Sequence, residues 1–256
     1  MLEKIVAKKY LEVAERKEKR PLNEFVPAIV PANHAFQQAL SKAGWGLIAE
    51  CKLASPSKGV LSPHRTVPEL AAIYAANGAT ALSVLTDIHF QGTLQHIAAV
   101  KAVCGLPVLR KDFVVDLYQV FEARAAQADA ILLIAAVLTD PMLKECLGQA
   151  QELGMDCIVE VHSREELKRV LALPAPLIGI NNRDLTTFKT DIVTTRRLLD
   201  QTPSDRMIIS ESGVKSKADA LQLRSWGAQG ILVGEGLVTA PDIAAKTREL
   251  ALRDDG

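Results

Sequence analysis

From residue 46 onward the chain repeats one pattern: a short aliphatic run, a polar loop, an amphipathic stretch, then the same again. The runs fall at 46–49, 80–85, 106–112, 128–134, 155–161, 176–181, 206–211 and 230–234, each followed by a helical pattern, at 67–77, 94–103, 116–127, 140–153, 163–173, 191–199, 217–226 and 242–250. No run has a second one close enough to form a hairpin with it. Near-continuous aliphatic strands separated by helices imply a parallel sheet covered by those helices. Eight such units in a chain of 256 residues match a single (β/α)8 TIM barrel, an α/β architecture that typically needs about 250 residues. A doubly wound sheet is the competitor, but no Gly-x-Gly-x-x-Gly follows the first strand.

Residues 1–44 precede the repeat. Leu2, Ile5, Val6, Tyr10, Leu11 and Val13 recur at helical spacing, and the charged cluster Arg16-Lys17-Glu18-Lys19-Arg20 ends at Pro21, which stops the helix. That cluster reads as a solvated face. A Pro-punctuated connector and a short helix around 35–42 complete the extension, which has too little apolar surface to fold alone and should pack on the barrel of residues 45–256 as one structural domain. Acidic residues and helical periodicity at the start argue against a signal peptide, and no apolar run approaches the roughly 20 residues of a membrane helix. Composition adds three constraints. At 48% hydrophobic but only 4% aromatic, the core must be aliphatic. Thirty basic residues balance thirty acidic ones, which argues against nucleic acid or an acidic membrane as partner. Cys51, Cys104, Cys146 and Cys157 have no metal or disulfide spacing and read as small buried hydrophobes in a reducing compartment. A cytoplasmic protein, monomeric or weakly homo-oligomeric, is expected. The chain ends after its eighth helix, so no fused second enzyme is expected.

Barrel active sites lie at the carboxyl ends of the strands, and here those ends are ionisable. Strand one ends in Glu50 and Lys52, two apart and so on one face. Strand three ends in Lys111-Asp112, strand five in Glu160, strand six in Asn181-Asn182-Arg183-Asp184 and strand seven in Glu211-Ser212-Gly213. One such residue means little, but five strands delivering them to one mouth point to acid–base chemistry. The eighth strand ends in Val233-Gly234-Glu235-Gly236, where a short helix could begin at Glu235. Barrels often bind phosphate there, through backbone N–H groups after strands seven and eight. Ser55, Ser57 and Arg183 would be close, and a bulky residue at Gly234 should then raise KM far more than it lowers turnover.

Together, Glu50-x-Lys52-x-Ala-Ser55-Pro56-Ser57-Lys-Gly59, Ser83-Val-Leu-Thr-Asp87 with Phe90-x-Gly92, Lys111-Asp112-Phe113, Glu160-Val161, Gly179-Ile-Asn181-Asn-Arg183-Asp184-Leu185 and Ser210-Glu211-Ser212-Gly213 resemble indole-3-glycerol-phosphate synthase along essentially the whole chain. The resemblance implies ring closure of 1-(2-carboxyphenylamino)-1-deoxyribulose 5-phosphate with loss of carbon dioxide and water, as a step of tryptophan biosynthesis, using no metal or organic cofactor. It implies Lys111 as general acid with Glu160 as charge partner, and Lys52 with Glu50 as acid and base for dehydration. Lys52 could instead hold the substrate carboxylate. Asn181, Glu211 and Ser212 would position hydroxyls and align charges. Ser55, Arg183, Gly213, Gly234 and Glu235 would hold the phosphate, and Phe90, Phe113, Leu132 and Leu185 would enclose the anthranilate ring.

Two departures stand out: Ala54 replaces a lysine of some relatives, and Ile88-His89 precedes Phe90 where an acidic-aromatic pair is commoner. His34, His64, His89, His96 and His162 have no partner at metal-ligand spacing and read as loop or surface residues. The competing readings are a phosphoribosyl-type sugar isomerase on the same barrel, or an inactive barrel serving as a partner. The first would need Asp or Cys/Asp acid–base pairs where this chain has Lys and Glu. The second gives no physical reason to keep so many charged groups at the strand ends.

Overall fold

A computed structural model describes residues 2–56, 58–184, 187 and 189–253. Eight parallel strands close into a barrel in chain order: β1 Gly46–Cys51, β2 Ala81–Leu85, β3 Val108–Lys111, β4 Ala130–Ile134, β5 Asp156–Val161, β6 Leu177–Asn181, β7 Met207–Glu211 and β8 Gly230–Val233. β8 returns to β1 with Gly46 beside Gly230 and Ala49 beside Val233. The apolar runs read from the sequence thus become these strands with ends shifted by at most two residues. Alternation explains why the runs are apolar throughout, since successive side chains point to opposite faces. Ile48, Ala81, Leu109, Ala130, Ile158, Leu177, Ile209 and Leu232 point inward and pack on one another. Their neighbours Leu47, Leu82, Val108, Ile131, Val159, Ile178, Ile208 and Ile231 point outward and meet the helices.

The extension begins with α1, Leu2–Lys19, and ends with α2, Ala35–Ala43. The helices that cover the barrel are α3 Val67–Ala76, α4 Gln95–Val103, α5 Tyr118–Ala125, α6 Asp140–Glu152, α7 Arg164–Leu171, α8 Val193–Leu199, α9 Lys217–Trp226 and α10 Ile243–Leu250. Several begin as their sequences dictate: Thr66 with Glu69 and Ser216 with Asp219 form capping boxes, and the Ser163 hydroxyl accepts the Glu166 N–H. The extension is anchored at both ends of the barrel. At the amino end, Phe36 and Leu40 of α2 join the interior cluster, and the Gln37 N–H donates to Asp156 Oδ2 at 2.8 Å. At the carboxyl end, Leu2 and Ile5 of α1 line the mouth.

α1 attaches through buried Ile5 and Val13 and through ion pairs; in the cluster read as a solvated face, Lys17, Glu18, Lys19 and Arg20 are indeed exposed, while Arg16 is half-buried. Arg16 reaches Glu122 of α5 at 3.0 Å, Lys17 reaches Asp116 at 2.6 Å, and Arg20 lies 4.5 Å from the centre of the Phe25 ring. Lys9, four residues from both Ile5 and Val13 on the same helix face, is 0% exposed and pairs with Asp87 at 2.7 Å, Asp112 at 2.9 Å and Glu12 at 3.0 Å. Cys51, Cys146 and Cys157 are buried and Cys104 is half-buried, all as free thiols. Among the described residues no helix is long and apolar enough to cross a membrane.

Candidate active site

The barrel's alternation that turns Ile48, Ile158 and Ile209 inward also turns inward the residues two positions later, Glu50, Glu160 and Glu211. Lys111 follows Leu109 in the same way. Register sets their heights: Glu160 lies beside Gly179, and Asn181 beside Glu211. The result is a charged layer on top of the aliphatic interior. Lys111 Nζ lies 3.5 Å from Glu160 Oε2 and 4.0 Å from Glu211 Oε2, and Lys52 Nζ lies 3.3 Å from Glu50 Oε1. The space above is a cavity of about 400 Å³, lined among others by Glu50, Lys52, Lys111, Glu160, Asn181 and Glu211. That volume is within the range of small-molecule sites.

Protonation in this layer is strongly coupled. Burial works against a charged Lys111, but Glu160, Glu211 and Glu50 outweigh it and raise its pKa above the ordinary lysine value. Burial likewise opposes the Glu160 charge, yet Lys111, His162 and the Asn181 amide hold its carboxyl well below the usual range. Glu211 goes the other way: burial and the neighbouring Glu160 charge raise its pKa far above an ordinary carboxylate, despite Lys111. The two carboxyls thus lean opposite ways, Glu160 toward its ionised form and Glu211 toward its protonated one. Lys111 thus holds its proton 3.5 Å from the Glu160 carboxylate.

The remaining predicted residues gather around the same cavity. Phe113 and Leu132 line it, and the Phe90 ring has Lys52 Nζ 5.3 Å from its centre, a cation–π contact. Ser55, Arg183, Ser212, Gly213, Gly234 and Glu235 line it too. Ser212 and Gly213 both take left-handed backbone, with φ of 66° and 84°. At a non-glycine residue that conformation costs about 1–3 kcal/mol and clusters at functional sites. The expected short helix does start at Glu235 and runs to Val238, and the Glu235 carboxylate is drawn aside by Lys58. Arg183 Nε is buried without a hydrogen-bond partner, as fits a donor waiting for a ligand. Leu185 and Ser57 lie outside the described residues.

Three features escaped the sequence reading. His162 is no surface residue: its side chain is 8% exposed, it lines the cavity, and it lies 3.2 Å from Glu160 Oε1. The spacing Glu160-x-His162 at the end of a strand was the available signal. Asn182 is buried beneath the Ser212–Gly213 turn. Its amide donates to Ser210 Oγ and to the Ser212 carbonyl, both at 2.9 Å, and its own carbonyl accepts the Thr195 hydroxyl at 2.8 Å. Gly179 and Gly234 have no Cβ because carboxylates fill that space, Glu211 Oε1 at the first and Glu50 Oε1 at the second. Among the described residues no group of three His, Cys, Asp or Glu side chains is arranged to hold a metal ion.

The sequence profile of the family described as Indole-3-glycerol phosphate synthase matches residues 2–250. The chain belongs to that family. It is 47% identical to the indole-3-glycerol phosphate synthase of Roseiflexus castenholzii over 99% of this chain and 98% of that protein. It is 45% identical to the one from Azospirillum brasilense, over 98% of each. Solved structures share the barrel at low identity. A 3-hexulose-6-phosphate synthase from Salmonella typhimurium superposes with a TM-score of 0.66 at 15% identity, over 81% of this chain and 97% of that one. An orotidine 5'-phosphate decarboxylase from Pyrococcus horikoshii gives 0.61 at 11%, over 80% and 97%. At such identities these two speak to the fold alone. The indole-3-glycerol phosphate synthase relatives span the extension as well as the barrel.

Proposed function

We propose that this chain is an indole-3-glycerol phosphate synthase. It would close the ring of 1-(2-carboxyphenylamino)-1-deoxyribulose 5-phosphate, with loss of carbon dioxide and water. The observation that carries the residue assignment is Lys111 Nζ within 4.0 Å of the carboxyl groups of both Glu160 and Glu211 in the cavity lining. Closure begins when the anthranilate ring carbon bearing the carboxylate attacks the ketone carbon. The ketone oxygen gathers negative charge as this happens, and Lys111 donates its proton there. Loss of carbon dioxide returns an electron pair to the six-membered ring and restores its aromaticity. Dehydration then removes the new hydroxyl group and a proton from the adjacent methylene. That step needs an acid and a base on the substrate's other side, where Lys52 and Glu50 stand as a pair 3.3 Å apart. Leu132, Phe113 and Phe90 offer the apolar surface for the anthranilate ring, and Arg183, Ser55 and the Ser212–Gly213 backbone offer donors to the phosphate.

Replacing Lys111 with Met removes the acid and keeps most of the side-chain volume. Lys111→Met is expected to lower kcat by at least about a hundredfold, in line with loss of a general acid. Its circular dichroism and its affinity for the substrate's phosphate end, read by titration with inorganic phosphate, should stay near wild type. The assay follows indole fluorescence after addition of the anilino-deoxyribulose phosphate. Ordinary turnover by the variant would refute Lys111 as the acid, and no turnover by the wild type would refute the activity itself.

A further inference from the structure

His162 follows β5 directly, and both of its ring nitrogens face carboxylates. Nδ1 is hydrogen-bonded to Glu166 Oε2 at 3.3 Å, and Nε2 lies 3.2 Å from Glu160 Oε1, an ion-pair distance without hydrogen-bond alignment. A neutral imidazole carries one N–H and one lone pair, so it would turn that lone pair on one of the two carboxylates. Only the imidazolium suits both neighbours. Burial disfavours its charge, but Glu160 and Glu166 outweigh burial and push the pKa up to about 10. Glu166 is itself held in place. Its Oε2 accepts the His162 backbone N–H at 2.8 Å, and its own backbone N–H donates to the capping Ser163 hydroxyl at 3.2 Å. The N-terminus of α7 is thereby linked through Glu166 and His162 to Glu160 and so to Lys111.

The groups that act on Glu160 are Lys111 from β3, Asn181 from β6, Glu211 from β7 and His162. Glu50 from β1 acts on Lys111 and Glu211. Those facing His162 are Glu160 and, from α7, Glu166. Glu160 and Glu211 lean toward opposite protonation states, and the nearby cations decide which of them keeps a shared proton. Lys111 discriminates weakly, at 3.5 Å from one and 4.0 Å from the other. His162 touches Glu160 alone. We propose that His162 is a positioning residue whose imidazolium keeps the shared proton on Glu211 and leaves Glu160 ionised against Lys111. The proposal rests on the activity assigned above.

His162→Gln keeps an N–H donor toward Glu160 but removes the charge. With the proton drawn toward Glu160, the ionised partner of Lys111 becomes Glu211, at 4.0 Å instead of 3.5 Å, and kcat near neutrality should fall about tenfold, the equivalent of one pKa unit. KM should stay within about twofold, since the substrate-binding groups are untouched. The ratio of wild-type to variant kcat should then narrow as the pH rises past about 10, because the wild-type ring loses its own charge there. Glu166→Gln should shift kcat in the same direction by less. The double variant should be no worse than His162→Gln, because the charge of Glu166 acts through the ring and a glutamine there keeps an oxygen for the backbone N–H of residue 162. Wild-type kcat in both single variants, a loss confined to KM, or a ratio that stays constant with pH would each overturn the proposal. Should His162→Gln fail to fold by circular dichroism, the partly exposed Glu166→Gln carries the same test. An inactive wild type would refute the activity, whereas an active wild type with unchanged variants refutes only this role for His162.

Discussion

Gly234 has two duties, and the second appears only in three dimensions. Its place after β8 marks it as a backbone donor near a phosphate, and from that alone a larger residue should raise KM. The Glu50 carboxylate, however, occupies the space where a Cβ would stand. Gly234→Val must therefore displace Glu50 from Lys52, and a catalytic group moved by about 1 Å can cost a hundredfold in rate. We expect kcat to fall by about that factor together with a rise in KM, read from steady-state kinetics; a change in KM alone would mean that Glu50 tolerates the displacement. Glu50, Lys52, Lys111, Glu160 and Glu211 were legible because strand ends in a barrel converge, whatever the side chains. The duties of Gly179 and Gly234 were not, since an absent side chain does not say which neighbour uses its room.

The helix α1 shows the same limit for an element. Its length, periodicity and stop at Pro21 can be read directly, and its packing on the barrel follows from its scant apolar surface. That Lys9 and not the adjacent Lys8 faces the barrel follows from its place four residues from Ile5 and from Val13; that it meets Asp87 and Asp112 there cannot be read, because only the fold brings them to one point beneath the helix. This attachment has a pH signature. Burial would raise the Asp112 pKa, but Arg110 and Lys9 overcome it and hold it at about 2. In the unfolded chain the value returns to about 3.9, so the carboxylate stabilises the fold above that pH and loses its contribution as pH falls toward 2. The difference amounts to about 2 kcal/mol. Acid unfolding followed by circular dichroism should accordingly begin below about pH 4. Lys9→Met removes one of the two cations, so its transition should lie at higher pH than wild type. Coincident acid transitions would show that Lys9 does not hold Asp112 ionised. Lys9→Met also leaves two buried carboxylates short of a partner, which is expected to cost about 3–5 kcal/mol in urea melts at neutral pH.

For the whole molecule, the barrel was the easiest feature to read, since one period repeated eight times admits few arrangements. What the repeat does not reveal is that the extension spans the barrel from its catalytic mouth, under α1, to its opposite end, plugged by Phe36 and Leu40 of α2. Phe36 and Leu40 find Ile48 close by in the chain, but the polar anchors of that strap come late. Arg16 waits for Glu122, 106 residues on, and the Gln37 amide waits for Asp156, 119 residues on. Contacts so distant in sequence form only after the intervening loop has been closed, which makes them slow. In refolding followed by pulsed hydrogen exchange, amides of α1 should gain full protection no earlier than those of β3 and β5; earlier protection would mean that the helix is stable without its seat. During synthesis the order is starker. The first segment to leave the ribosome carries Lys9, whose first buried partner, Asp87, emerges only after β1, α3 and β2, so it is exposed to proteases and chaperones before it closes over the site.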